Sequence, residues 1–155
     1  MTRSGQHALR IVAALARSGE RLPARQLSEL TGVPRGCMPE VVACLSRAGI
    51  LDTVSGARGG CWLARGPTEV TVLDVLQAVE GLPSLENCLL DGRPHGEPPC
   101  ALHEPWVRAQ RAVVEALQSV TVADLAHPGG WPCRVHAPEP PAVRGHAGGE
   151  GDSTP

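Results

Sequence analysis

Residues 26–65, QLSELTGVPRGCMPEVVACLSRAGILDTVSGARGGCWLAR, decide the architecture of this chain. Leu27 and Leu30 give a short helix an inward face, and Gly32 ends it. Val33-Pro34-Arg35-Gly36 is a tight turn. A second helix is expected from about Met38 to Ala48, with Met38, Val41, Val42 and Leu45 buried and Gly49 as its stop. Pro39 is tolerable only in a first turn, where no backbone donor is needed, and so fixes where that helix begins. Two apolar runs follow, Ile50, Leu51 and Val54 and then residues 61–64, around the tip SGARGG: a β-hairpin. Two helices joined by a short turn and followed by a hairpin make a winged helix-turn-helix.

Outward from this stretch, Ala8, Ile11, Val12 and Leu15 recur at helical spacing. They predict a first helix over 4–18, with Ser4 as its cap and Gly19 as its stop. Leu22 and Pro23 restart the chain ahead of the second helix. Downstream, Val72, Val75, Leu76 and Val79 predict a short helix ending at Gly81, expected to buttress the hairpin. Leu102, Trp106, Val113, Leu117 and Val120 then form a heptad-like stripe on a longer helix, suited to pairing with its twin. Packing within the chain is the other use of such a stripe.

Composition agrees with a mostly α fold carrying one small hairpin. Of 155 residues 42% are hydrophobic and 19% charged, with no Phe or Tyr and three Trp, so Leu, Val, Ile and Ala must build a core of close-set helices. Residues 1–66 are expected to form the helix-turn-helix region. Residues 67–126 complete the same globular unit, and residues 127–155, where 12 of 29 are Pro or Gly, read as a disordered tail.

Charge divides the chain in the same place. The net −2 combines nine Arg against four acids in residues 1–66, +5, with five Arg against twelve acids in residues 67–155, −7. A basic half beside an acidic half is the electrostatic footprint of a phosphate-binding surface. No apolar run is long enough to span a membrane and no signal peptide is evident, so a cytoplasmic protein is expected. In a reducing compartment six Cys argue against a disulfide framework and for metal or redox chemistry where they cluster. Nothing matches a phosphate-cradling glycine motif, a nucleophilic triad or a paired-carboxylate site, so an enzyme is not expected.

On double-stranded DNA, the helix over 38–48 would enter the major groove with Arg35, Met38 and Glu40 nearest the base edges. Arg35 has two readings, guanine or phosphate; Glu40 likewise either accepts from cytosine or favours the helix N-terminus. Arg25 and Gln26 are placed to hold the backbone, and Arg58, at the hairpin tip, to enter a minor groove or meet phosphate. An ordinary hairpin and helix pair in a protein-interaction module, or in a small assembly factor, is the competing use.

The segments ALRIVAALA, VPRGCMPEVV, LSRAGIL, SGARGGCWLAR and TVLDVLQAVEG occur in the order seen in the Rrf2-type bacterial transcriptional regulators, which residues 1–120 resemble as a set. The resemblance implies a homodimeric winged-helix regulator, a repressor on a pseudo-palindromic operator, that often senses its signal through an iron–sulfur cluster. It places Cys88, Cys100 and His103 as cluster ligands, in a Gly/Pro-rich loop able to fold soft donors around a compact inorganic core. The middle cysteine of the family pattern is missing, and His95 occupies that vicinity. A mixed Cys/His cluster, two-iron rather than four-iron, is one reading; binding by Cys88 and Cys100 with help from a partner subunit is another. The second is weakened because the family's acidic ligand position is Gln6 here, with His7 pointing about 100° away around the helix. Zinc, a thiol switch or no sensor complete the alternatives. Cys44 reads as buried filler and Cys61 lies on a hairpin strand beside Trp62, neither expected as a ligand, and Cys133 with His136 falls in the tail.

Overall fold

A computed structural model describes residues 2–56, 59–81, 87, 90 and 100–127. Its elements run α1 (Arg3–Ser18), α2 (Ala24–Thr31), α3 (Met38–Arg47), β1 (Leu51–Val54), β2 (Gly60–Leu63), α4 (Val72–Glu80), α5 (His103–Gln118) and α6 (Val122–Ala126). Helices dominate, with one antiparallel hairpin, as expected.

α1 is the central post. Ala8, Ile11, Val12, Ala13, Ala14 and Leu15 are all buried, and the helix meets α2, α3, α4, α6 and β2. From Ile11 to Leu15 it is apolar all round and sits inside other elements, while Arg3, Gln6 and Arg17 face solvent. Its cap is Thr2, whose hydroxyl oxygen accepts from the Gly5 N–H at 3.2 Å, so Ser4 lies inside the helix instead. The expected stops Gly19, Gly32 and Gly49 hold φ of 66°, 67° and 67°, left-handed backbone that a side chain would strain.

In α2 only half of the expected inward face is buried. Leu27 is fully enclosed, but Leu30 is 55% exposed; the buried partner one turn on is Thr31. Pro39 sits in the first turn of α3, and Met38, Val41 and Leu45 reach the core. In the hairpin Leu51 pairs with Leu63, Asp52 with Trp62, Thr53 with Cys61 and Val54 with Gly60. A bridge the sequence reading missed adds Leu22 to the edge of β2: Leu22 and Cys61 exchange both backbone hydrogen bonds at 3.0 Å. The glycine beside it is needed for closeness, because a Cβ at Gly60 would stand 2.7 Å from the Leu22 carbonyl oxygen.

α4 packs on α1, α3 and α5, so it supports the helical core rather than the hairpin. α4 and α6 begin alike, Thr71-Val-Leu-Asp74 and Thr121-Val-Ala-Asp124, each with a complete capping box. The two starts are tied together: the Val72 N–H donates to the Val120 carbonyl and the Val122 N–H to the Val70 carbonyl, both at 2.8 Å.

The stripe expected on the long helix divides. α5 ends at Gln118, which leaves Val120 outside it in the Thr71–Thr121 bridge region. Trp106 and Leu117 are half-buried on the inward side with Gln110, whereas Leu102 and Val113 are 38% and 57% exposed. A strict heptad on a straight helix drifts across two faces, and here the inward face follows 103, 106, 110, 114 and 117.

Candidate nucleic-acid interface and sensor residues

Side chains lock the turn between α2 and α3. The Ser28 hydroxyl donates to the Val33 carbonyl at 2.8 Å, the Thr31 hydroxyl oxygen accepts from the Val33 N–H at 3.3 Å, and the Cys37 N–H reaches the Pro34 carbonyl at 2.9 Å. Val33, fully buried, anchors the turn from below. The angle at which α3 leaves α2 is therefore set by packing and by hydrogen bonds, which is what a helix that must fit a groove requires.

Around α3, the residues facing away from Met38, Val41 and Leu45 are Pro39, Glu40, Ala43 and Arg47, all exposed. Arg35 is exposed in the turn just before them. Met38 is a correction: at 2% exposure it belongs to the core and cannot meet a base edge. The spacing that buries Met38 with Val41 and Leu45 turns Pro39 and Ala43 outward, so the helical period already contained the right answer. Glu40 stays where expected, outward in the first turn.

At the N-terminus of α2, Arg25 and Gln26 are exposed. No side chain caps this end, so the N–H groups of its first turn lie beside Arg25 at the positive end of the helix dipole, a favourable surrounding for a phosphate oxygen. Arg25 Nε pairs with Glu29 Oε1 at 3.0 Å, and with both side chains well exposed the pair orients the guanidinium more than it stabilises the fold. Arg58 lies outside the described residues; at the flanks of its loop Val54 pairs with Gly60, and the Gly59 N–H is bonded to the Gly56 carbonyl at 2.9 Å.

Of the expected metal ligands, Cys88 and His95 lie outside the described residues, as do Cys133 and His136. Cys100 is an exposed free thiol, and His103 opens α5, half-buried. The His103 N–H donates to the Cys100 carbonyl at 3.0 Å, which places the two on one helical turn. Among the described residues no group of three or more His, Cys, Asp or Glu side chains converges on a point that could hold a metal. Gln6 is exposed and His7 half-buried on α1.

The remaining thiols separate by environment. Burial pushes Cys61 up to about 11, so at neutral pH it is an inert core thiol. Cys44 is half-buried rather than buried, and the Arg47 guanidinium donates to its Sγ at 3.2 Å. Among the described residues no helix is long and apolar enough to cross a membrane.

A family model described as Rrf2, iron-dependent transcriptional regulator, matches residues 1–128. The HTH-type transcriptional regulator CymR of Bacillus subtilis is 30% identical over 124 residues, which cover 79% of this chain and 86% of CymR. The solved structure of CymR, the global cysteine regulator of B. subtilis, superposes with a TM-score of 0.67 at 28% identity, covering 81% of this chain and 95% of that one. IscR of T. potens shares the fold, with a TM-score of 0.66 at 23% identity over 81% of this chain and 84% of its own. With its hairpin, its locked helix-turn-helix and this match over residues 1–128, the chain belongs to the Rrf2 family: it is a winged-helix, DNA-binding transcriptional regulator and not an enzyme.

Proposed function

We propose that the protein represses transcription as a homodimer on a pseudo-palindromic operator. The observation that carries this reading is the outward face of α3, where Pro39, Glu40, Ala43 and Arg47 stand exposed behind Arg35 in the basic half of the chain. Arg35 meets guanine or phosphate, Glu40 accepts from the amino group of cytosine, and Arg25 and Gln26 hold the backbone. Arg58 extends the grip from the hairpin tip. Dimerisation is supported by the outward face of α5, on which Leu102, Pro105, Ala109, Ala112, Val113 and Ala116 are exposed and apolar. A gel shift with DNA from the promoter region of the protein's own gene, against a scrambled duplex, tests the reading. Retardation specific to the promoter is expected, from a particle of twice the 16.2 kDa chain mass. Equal binding to the scrambled duplex overturns it.

For the signal, we infer an iron–sulfur cluster held by Cys88, Cys100 and His103 with His95, two-iron rather than four-iron. The family's description as iron-dependent supports it, as does the place of Cys100 and His103 within one backbone turn at the start of α5. Such a group, when bound, supplies a labile, redox-sensitive charge at that turn. The chain's own part is mechanical. The inward face of α5 packs on α4, α4 packs on α1 and α3, and the far end of α5 is fastened by the Val120 and Val122 bonds. A shift of the Cys100–His103 turn therefore has a packed route to the reading helix. The missing family cysteine and the likeness to a cysteine regulator favour a second reading, in which the thiols of Cys88 and Cys100 themselves carry the signal; zinc is the third occupant to distinguish. Protein isolated without oxygen should be brown, contain iron and sulfide, and bleach in Cys88→Ala and Cys100→Ala. Colourless protein without iron overturns the cluster, and its zinc content separates the other two.

A further inference from the structure

Between α3 and the hairpin runs an open groove of about 530 Å³. Pro39 and Val42 line it from α3 and Val54, 47% exposed, from β1. Among the described residues the charged ones that line the groove are Arg25 and Arg35, and no acid does. An apolar trough with two arginines on its rim, Arg35 and the Glu29-paired Arg25, is complementary to a polyanion that carries an apolar group.

The inference rests on the reading that α3 enters a major groove. With α3 there and the hairpin at the adjacent minor groove, the sugar-phosphate strand separating the two grooves crosses this trough. Pro39, Val42 and Val54 carry no side-chain donor or acceptor, so they cannot read a base by hydrogen bonding. Among the base edges of the major groove the one apolar feature is the C5-methyl group of thymine, which stands at the groove's rim close to its own strand's backbone. We propose that Pro39, Val42 and Val54 enclose the methyl group of one thymine in each half-site, while Arg25 and Arg35 neutralise the phosphates beside it. Sequence preference would then come from apolar contact at the trough as well as from the polar reach of Arg35 and Glu40.

The test uses the full chain and a duplex enriched by it from a random-sequence pool, with each thymine replaced in turn by deoxyuridine, which lacks only the methyl. Loss of about fourfold in affinity is expected at one position per half-site, the worth of one buried methyl group. In Val54→Ala and Val42→Ala the thymine-to-uridine ratio should fall toward one. That ratio is taken within each variant, so a general loss of stability or affinity cancels. Val54, being exposed, gives a variant whose folding is not at issue. The proposal is overturned if uridine weakens binding at no position, if the enriched duplex has no common thymine, or if the ratio is unchanged in both variants. A chain that enriches no duplex at all overturns the DNA-binding geometry itself, a result recognisably different from specific binding indifferent to the methyl.

Discussion

The reading half and the regulating half of this molecule are held together in different ways. From α1 to β2 the side chains interlock: Ile11, Leu15, Leu27, Val33, Leu45, Ile50 and Leu51 are at most 2% exposed, and hydrogen bonds close the turn before α3. Beyond β2 the fully buried side chains among the described residues are Val70, Val75 and Val122, all in or beside α4 and α6. α5 contributes one buried residue, Gln110, whose side-chain oxygen has no hydrogen-bond partner among the described residues. A buried acceptor left unpaired costs about 1–3 kcal/mol, and α5 has little core of its own within the chain. A helix that reads DNA needs fixed geometry, and the first half supplies it.

The largest expected effect breaks the comparison most directly. Leu45→Ala empties a fully enclosed site on α3 and should cost about 2–5 kcal/mol in urea denaturation. Leu117→Ala on α5 removes the same atoms from a half-buried position and should cost clearly less. Equal costs would show that α5 is as tightly integrated as α3 and that the contrast is wrong.

Arg35→Ala asks whether the rigid half is a surface for reading or only a scaffold. The side chain is exposed, so folding stability should change by no more than about 0.5 kcal/mol. Binding to the promoter should weaken by about 1–3 kcal/mol if it reads guanine, with relaxed preference at one base pair. If it touches phosphate alone, the loss is uniform across sequences and the salt dependence shallower. Unchanged binding removes Arg35 from the interface.

The two halves were also unequally legible in the sequence. Helix ends in the reading half follow from local chemistry: glycine at Gly19, Gly32 and Gly49 is the residue that accepts left-handed backbone, and Pro39 can only begin a helix. What escaped were contacts far apart in the chain, the Leu22–Cys61 bridge and the Thr2 cap, which Glu80 supports across 78 residues. In the regulating half even a local period misled, because the apolar residues of α5 serve both its faces and a stripe of five letters cannot say which residue faces where. The repeated Thr-Val-x-Asp at 71 and 121 was readable as two capping boxes; that they bind each other was not, since nothing local encodes it. For the site, the exposed side chains of α3 were recoverable from periodicity, while Cys88 and His95 depend on a loop without periodic signal.

Those twin capping boxes sharpen the account of how the softer half is fastened. Thr71→Ala and Thr121→Ala each remove a cap and should each cost about 1 kcal/mol. Because the two starts share backbone hydrogen bonds, the double variant should depart from the sum of the singles. Strict additivity would mean that the two helix starts are independent and the fastening lies elsewhere.

The smallest effect expected is at the joint between the halves. Glu80, the last residue of α4, stands at the negative end of its own helix dipole yet at the positive end of α1, where the Thr2 hydroxyl donates to it at 2.7 Å and the Thr2 backbone N–H also donates. Partial burial works against its charge, but the hydrogen bonds from Thr2 and Gly5 outweigh that and hold its carboxyl below the usual carboxylate range. The space is committed to this contact, since a Cβ at Gly5 would collide with the Glu80 carboxylate. A depressed folded-state pKa contributes stability that is complete above the unfolded pKa and is lost as pH falls through the folded value. Wild type and Glu80→Gln should therefore differ most at neutral pH, with wild type the more stable, and converge in acid as Glu80 takes up its proton. Water reaches the site, so the gap should be small, and denaturation curves at several pH values will resolve its direction better than its size. A gap that widens as the pH falls would mean that the carboxylate strains the joint, and that α1 and α4 are held there by packing alone.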